Sequence, residues 1–315
     1  MSNNIERDVD YINSLISFVR EKYLLEPISI IPAKRGFYGE TWKVETREKN
    51  YFLKLDYFID HKLKFQNSLK PIDYLHSNGI DFINEIVKTK ENNLFEIFNS
   101  GILVIFHWIN GENVENQETK IYEYQLLSKV YAHTKFGFEI PTLDFSSKIA
   151  AKVYHKWEEL KANKEINKEL LELLDKHSEK LAHRAMRLKQ FAELCQNDRS
   201  NFYFTHGDAG GNFMLDNNQY YIVDWDEIMY SPPERDAWVM CHKPEMIKIF
   251  NKALKQNNIK YKLQPERLAY YCYFMFFWYL NEVLVNSSSD KLSENVTNSL
   301  NGWVEERINY ADTIK

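Results

Sequence analysis

Residues 202–215, Phe202-Tyr203-Phe204-Thr205-His206-Gly207-Asp208-Ala209-Gly210-Gly211-Asn212-Phe213-Met214-Leu215, and residues 219–226, Gln219-Tyr220-Tyr221-Ile222-Val223-Asp224-Trp225-Asp226, carry the most informative pattern in the chain. An apolar strand delivers His206 and Asp208 into a glycine-rich loop. A short strand follows Asn212, the Asp216-Asn217-Asn218 turn reverses the chain, and a second strand delivers Asp224. The stretch reads as a hairpin with polar groups converging at one end. His206-Gly207-Asp208 alone is more simply a turn between strands. Joined to Asn212 and Asp224 in one strand-loop-strand unit, it acquires chemistry.

Phosphoryl transfer needs such a set, because most of its catalysis is positioning and charge neutralisation. It uses a carboxylate to orient the attacking hydroxyl, and an amide oxygen with a second carboxylate to hold magnesium against the phosphates. Asp208, Asn212 and Asp224 fill those roles in order, and His206 braces the loop through hydrogen bonds. An Asp is a weak base at neutral pH, which suffices when the transition state is loose and the proton leaves late.

Outward from this segment, the first hundred residues mix one helix with strand-like runs. Almost everything after residue 115 follows helical periodicity, apart from the patch around 202–228. Residues 8–24 place Val9, Ile12, Leu15, Ile16 and Val19 on one helical stripe. Ile28–Pro32, Thr41–Thr46 and Tyr51–Leu55 read as strands, and a second helix ends near Gly79. Asn92–Phe98 and Ile102–Trp108 flank a hairpin turn at Asn99-Ser100-Gly101. Helices are expected over 117–135 and 155–195. The aromatic run Tyr270 to Tyr279 reads as a buried helix whose remaining rings are available to a substrate pocket. The asymmetry divides the chain into residues 1–108 and 109–315.

Forty basic and 45 acidic residues give a net charge of -5, which argues against a polyanion surface and leaves room for a cationic ligand. Nucleic acid is therefore not an expected partner. Cys195, Cys241 and Cys272 have neither zinc-site nor disulfide-framework spacing, which fits a reducing cytoplasm. No segment approaches a membrane span, and the N-terminus lacks the apolar core of a signal peptide.

The segment from Thr205 to Asp236 resembles the catalytic loop and metal-binding segment of the aminoglycoside phosphotransferase family, relatives of protein kinases. Members typically read His-Gly-Asp, then Asn, then two apolar residues and Asp-Trp. The continuation through Asp226-Glu227 and Pro233-Glu234-Arg235-Asp236 is similar in particular to the spectinomycin-phosphorylating branch of that family. The resemblance implies an α+β, two-lobed protein-kinase-like fold, with a small antiparallel-sheet lobe over residues 1–108 and a larger, mainly helical lobe beyond.

It also implies a set of roles. Gly36 and Gly39, in Gly36-Phe37-Tyr38-Gly39-Glu40, form the turn over the phosphates, and Lys54 is the nucleotide-binding lysine. If its strand alternates, Lys54 is expected to point opposite to Phe52. Phe106, His107 and Trp108 form the adenine-contacting hinge, where backbone groups do the work. Asp236 steadies the catalytic loop. Asp226 and Glu227 are either solvated loop acids or acids with a second role beside the metal or a cationic substrate.

The co-substrates implied are Mg2+ with ATP or GTP, and a small hydroxyl-bearing acceptor, with an aminoglycoside or aminocyclitol leading and antibiotic resistance as the setting. The protein would act as a monomer or dimer. Two features depart from the family. Asn212 follows Asp208 by four positions rather than five, and the helix after Lys54 has no obvious Glu, with Gln66 nearest that place. Choline, other amino alcohols and sugars are rival acceptors. A kinase-like binding protein that has lost catalysis is a rival of another class. A third reading, a helical interaction protein with an incidental turn, predicts that Lys54, Asp208 and Asp224 lie far apart.

Overall fold

The computed structural model describes residues 7–34, 38–114, 116–163, 168–288 and 291–315. In chain order its elements begin with α1 (Val9–Tyr23), β1 (Ser29–Pro32), β2 (Glu40–Glu45), β3 (Asn50–Asp56), α2 (Ile59–Ser77), β4 (Ile86–Val87), β5 (Glu96–Phe98), β6 (Gly101–His107), β7 (Glu112–Asn113) and α3 (Lys120–Ala132). They continue with α4 (Lys148–Ala162), α5 (Lys168–Gln196), β8 (Tyr203–Thr205), β9 (Phe213–Asp216), β10 (Gln219–Ile222) and β11 (Met229–Ser231). The last are α6 (Glu234–Ala237), α7 (Pro244–Gln256), α8 (Pro265–Asn286), α9 (Leu292–Asn301) and α10 (Glu305–Thr313).

Contacts group the chain into two compact units. One comprises Met1–Pro141 and His206–Met229, the other Thr142–Thr205 and Tyr230–Lys315. The catalytic-loop hairpin therefore belongs to the same unit as the N-terminal sheet.

In the first unit an antiparallel sheet runs β1-β2-β3-β6-β4, with β5 also paired to β6. Strand alternation sorts its side chains. Tyr51, Leu53 and Leu55 of β3 join Trp42, Val44, Leu103 and Ile105 in a core closed by Leu15, Val19 and Tyr23 of α1. That helix starts cleanly because the Asp8 carboxylate accepts the Tyr11 N–H. Phe52, Lys54 and Asp56 take the opposite face of β3. The sheet thus presents a hydrophobic face to α1 and a mixed face to the cavity described below. β9 and β10 form the expected hairpin, with β7 added on the β9 side.

The second unit is mainly helical. α8 is its centre: Tyr270, Tyr271, Tyr273, Phe276 and Phe277 are buried. Leu170, Leu174, Leu181 and Leu188 of α5 supply a buried stripe at three-four spacing. The antiparallel sheet at the N-terminal end and the helices beyond are the α+β arrangement expected from the sequence. All three cysteines are buried and free. Among the described residues no helix is long and apolar enough to cross a membrane.

Candidate active site

Lys54 is the hub. Its strand position pairs it with Thr41 on β2 and Val104 on β6, and it is only 4% exposed. An unpaired ammonium there would be costly. Its Nζ donates to Asp224 Oδ1 and to Asp226 Oδ2, each at 2.7 Å. Burial alone would lower the Lys54 pKa, but the two carboxylates raise it, so the side chain is a fixed cation. Asp224, whose side chain is 42% exposed, stays below the usual carboxylate range despite partial desolvation, because Lys54 stabilises its charged form. Asp226 is pushed up to about 7 by burial and by the neighbouring Asp224 charge.

The partner of Lys54 that the sequence left open is therefore this pair of acids, 170 and 172 residues away. The helix α2 offers no carboxylate to it. Phe65, rather than Gln66, lies against the lysine, with Nζ 5.3 Å from the ring centroid. One expectation is corrected: Phe52 and Lys54 do not point apart. Residues two apart share a face of a strand, and both line the same cavity.

The loop is held by His206, which is 2% exposed. Its Nδ1 accepts the Asp208 backbone N–H at 3.1 Å, so the ring proton sits on Nε2, which donates to the Val223 carbonyl at 2.8 Å. A neutral imidazole thus ties the start of the loop to the strand that delivers Asp224. Trp225 packs edge-on against the same ring and donates its indole N–H to Ile222 O at 2.8 Å. Asp224 adopts a left-handed conformation, φ 64°, at the head of a 3-10 turn over Trp225–Glu227. The four-residue spacing from Asp208 to Asn212 is closed by another 3-10 turn at Gly210–Asn212. Asn212 Nδ2 then donates to the Asp208 carbonyl at 2.9 Å.

Phe52, Phe65, Phe106, Trp108 and Met214 line a cavity of about 570 Å³, together with Lys54, Asn212, Asp224 and Asp226. Its walls are apolar and aromatic at one part and carry convergent polar groups at another, as nucleotide and small-molecule sites do. Phe106 and Trp108 face it. His107 turns the other way, toward Tyr51 and Glu85, and its backbone N–H donates to Glu85 O at 3.0 Å. Gly39 has φ 69°, and a Cβ there would lie 2.1 Å from Leu55 O, so only glycine lets the turn approach β3 this closely. Gly36 lies outside the described residues. Asp236 is a buried residue of α6 in the second unit.

His61, Asp56 and Tyr38 were not chosen from the sequence. His61, on α2, is 2% exposed and pairs through Nδ1 with Asp56 Oδ2, while Tyr38 stacks on its ring at 3.8 Å. The available signal was a histidine one turn N-terminal to Phe65 on the helix that follows the lysine strand.

Among the described residues no group of three or more His, Cys, Asp or Glu forms a metal cluster. Asp224 and Asn212 supply a carboxylate and an amide, both lining the cavity. That hard-oxygen pair fits Mg2+, which takes one or two protein ligands and leaves other positions to water and phosphate.

The phosphotransferase enzyme family's sequence profile matches residues 29–267, which include the sheet, Lys54 and the whole catalytic segment. The chain belongs to that family. As a phosphotransferase it is similar in structure to a spectinomycin phosphotransferase solved with ADP and spectinomycin, at 19% identity and a TM-score of 0.76, covering 95% of this chain and 98% of the other. An aminoglycoside phosphotransferase from Alicyclobacillus acidocaldarius gives 12% identity and a TM-score of 0.70 over 99% and 96% of the two chains. A choline kinase from Cryptosporidium parvum gives 13% identity and a TM-score of 0.60 over 96% of each. A search of curated proteins by sequence gave no match. These likenesses establish the kinase-like fold. The helical-interaction reading fails, because Lys54 and Asp224 are in direct contact.

Proposed function

We propose that this phosphotransferase moves the terminal phosphoryl group of ATP or GTP to a hydroxyl of an aminoglycoside- or aminocyclitol-like acceptor. The observation that carries this reading is the contact of Lys54 with Asp224 beside Asn212 and a 570 Å³ aromatic-walled cavity. Asp208 is the base that orients the attacking hydroxyl and takes its proton late, and His206 fixes the loop that bears it. Asn212 and Asp224 would hold Mg2+, which supplies charge neutralisation at the phosphates when bound. Lys54 binds the phosphates as a cation whose protonation its two acids secure.

The Gly39 turn, with Gly36, covers the phosphates, and the hinge at Phe106 to Trp108 receives the base. In this assignment residues 1–108 form the nucleotide-binding lobe, and residues 109–315 bring the catalytic loop and the acceptor site. Asp236 supports the loop. A net charge of -5 suits a cationic acceptor, and the free buried cysteines suit a cytoplasmic enzyme.

The test is nucleotide consumption with ATP and GTP against aminoglycosides, spectinomycin, choline, ethanolamine and sugars, with Asp208→Asn as the blank. Acceptor-dependent turnover absent from the blank is the expected result. No transfer to any acceptor, with no stabilisation by Mg-nucleotide, would overturn the proposal.

A further inference from the structure

The helix that follows the lysine strand carries no acid for Lys54, yet the lysine is firmly held. The device that holds it extends one residue further. Asp226 is 7% exposed and binds Lys54 Nζ through Oδ2. The same oxygen lies 3.4 Å from Nε2 of His61, and Glu227 Oε1 lies 3.4 Å from that nitrogen as well. His61 Nε2 is buried and makes no regular hydrogen bond, so the two carboxylates are what it faces.

The other ring nitrogen is committed to Asp56, the last residue of β3 and two positions from Lys54. Tyr38, one residue before Gly39, lies flat on the ring with an interplanar angle of 12°. His61 therefore touches the lysine strand, the glycine turn and the segment that carries Asp224, from a rigid position in the first turn of α2.

We propose that His61 and Asp226 are positioning residues for Lys54, Asp226 orienting the ammonium and His61 orienting Asp226, in place of a glutamate on the helix. The inference rests on the kinase reading of the site. The geometry supports it: Asp226 Oδ2 sits between Lys54 Nζ at 2.7 Å and His61 Nε2 at 3.4 Å, so the ring on its far side limits where the carboxylate can turn. Burial opposes a charged ring, but the three acids around it, Asp56, Asp226 and Glu227, outweigh burial and raise the His61 pKa to about 9, so the ring is a cation held among them. Lys64, 3.6 Å from Glu227, is the further cation at this edge.

Calorimetric binding of Mg-ATP to the full chain tests this. Wild type, Asp226→Asn, His61→Phe, Lys54→Met and the Lys54→Met/Asp226→Asn double variant are compared, each checked for folding by circular dichroism. The expected result is a loss of affinity of about tenfold in Asp226→Asn and His61→Phe. The Asp226→Asn loss shrinks to under about twofold in the Lys54→Met background, since a residue acting through another has no effect without it. A merely structural role gives the same loss in both backgrounds and overturns the inference.

Should Lys54→Met not fold, the cycle is closed between Asp226→Asn and His61→Phe. A combined loss no larger than either single loss supports the proposal, and additive losses overturn it. Wild type that binds Mg-ATP, with Asp226→Asn and His61→Phe binding equally well, sinks this inference and leaves the kinase reading standing. Wild type that binds neither Mg-ATP nor Mg-GTP sinks both.

Discussion

Asn212 Nδ2 donates to the backbone carbonyl of Asp208 at 2.9 Å and lies 3.4 Å from that residue's own Oδ2. The amide thus braces the residue assigned as base, and its oxygen is left for a cation. A loop one residue shorter than the usual family spacing closes this way through a tight 3-10 turn over Gly210–Asn212. A Cβ on Gly211 would sit 3.3 Å from Asp208 Oδ1, so the shortening and the glycine go together.

Gly211→Ala is therefore expected to lower transfer roughly tenfold or more by displacing the Asp208 carboxylate, because sub-ångström errors at a reacting group are expensive. The melting temperature should stay near that of wild type. Asp208→Asn should lower transfer by about 10²–10⁴ while leaving Mg-ATP affinity within a few-fold. Steady-state kinetics with calorimetric binding separates the two. Equal losses of binding and turnover would contradict the role given to Asp208.

Lys54→Met leaves Asp226 buried beside Asp224 without its cation. Breaking a buried pair on one side costs about 3–5 kcal/mol, whereas removing both charges costs much less. The double variant Lys54→Met/Asp226→Asn is expected to be more stable than Lys54→Met alone in urea denaturation. A double variant less stable than the single one would show that the carboxylate is not dependent on the lysine.

Gly39→Ala should destabilise the fold by about 1–3 kcal/mol, since an alanine at φ 69° is strained and its Cβ meets the Leu55 carbonyl oxygen at 2.1 Å. Chemical denaturation measures it. A neutral result would mean that the turn moves away from β3 at little cost.

Stability should fall as pH rises in two steps. Glu234 accepts from Tyr261 and the Gln264 N–H on Oε1, while Oε2 is buried without a partner, and burial pushes its pKa up to about 7. The folded state then holds a proton that the unfolded chain releases near 4.5. Its contribution is complete below pH 4.5 and is lost as pH rises through 7, a window that Asp226 shares. His61 behaves alike at higher pH: complete below 6.5, lost through about 9. Each is of the order of 3 kcal/mol. Denaturant midpoints against pH should lose the Glu234 share of the lower step in Glu234→Gln, leaving the part that Asp226 contributes, and should lose the upper step in His61→Phe; an unchanged slope in the matching variant refutes that assignment.

Much of the hairpin that carries the chemistry was legible in the sequence. His206, Asp208, Asn212 and Asp224 lie within nineteen positions, and local strand and turn signals suffice to bring such neighbours together. The sheet, α1 and the buried aromatic helix were legible for the same reason, since a period of two or 3.6 is a local property. Three things were decided only by the tertiary structure: the acids that hold Lys54, the carbonyl of Val223 that fixes the His206 tautomer, and the place of His61 between Asp56 and Asp226. Each joins residues from different elements, so no spacing along the chain encodes it. Packing brings the charges together, and burial, by removing water, makes their pairing obligatory.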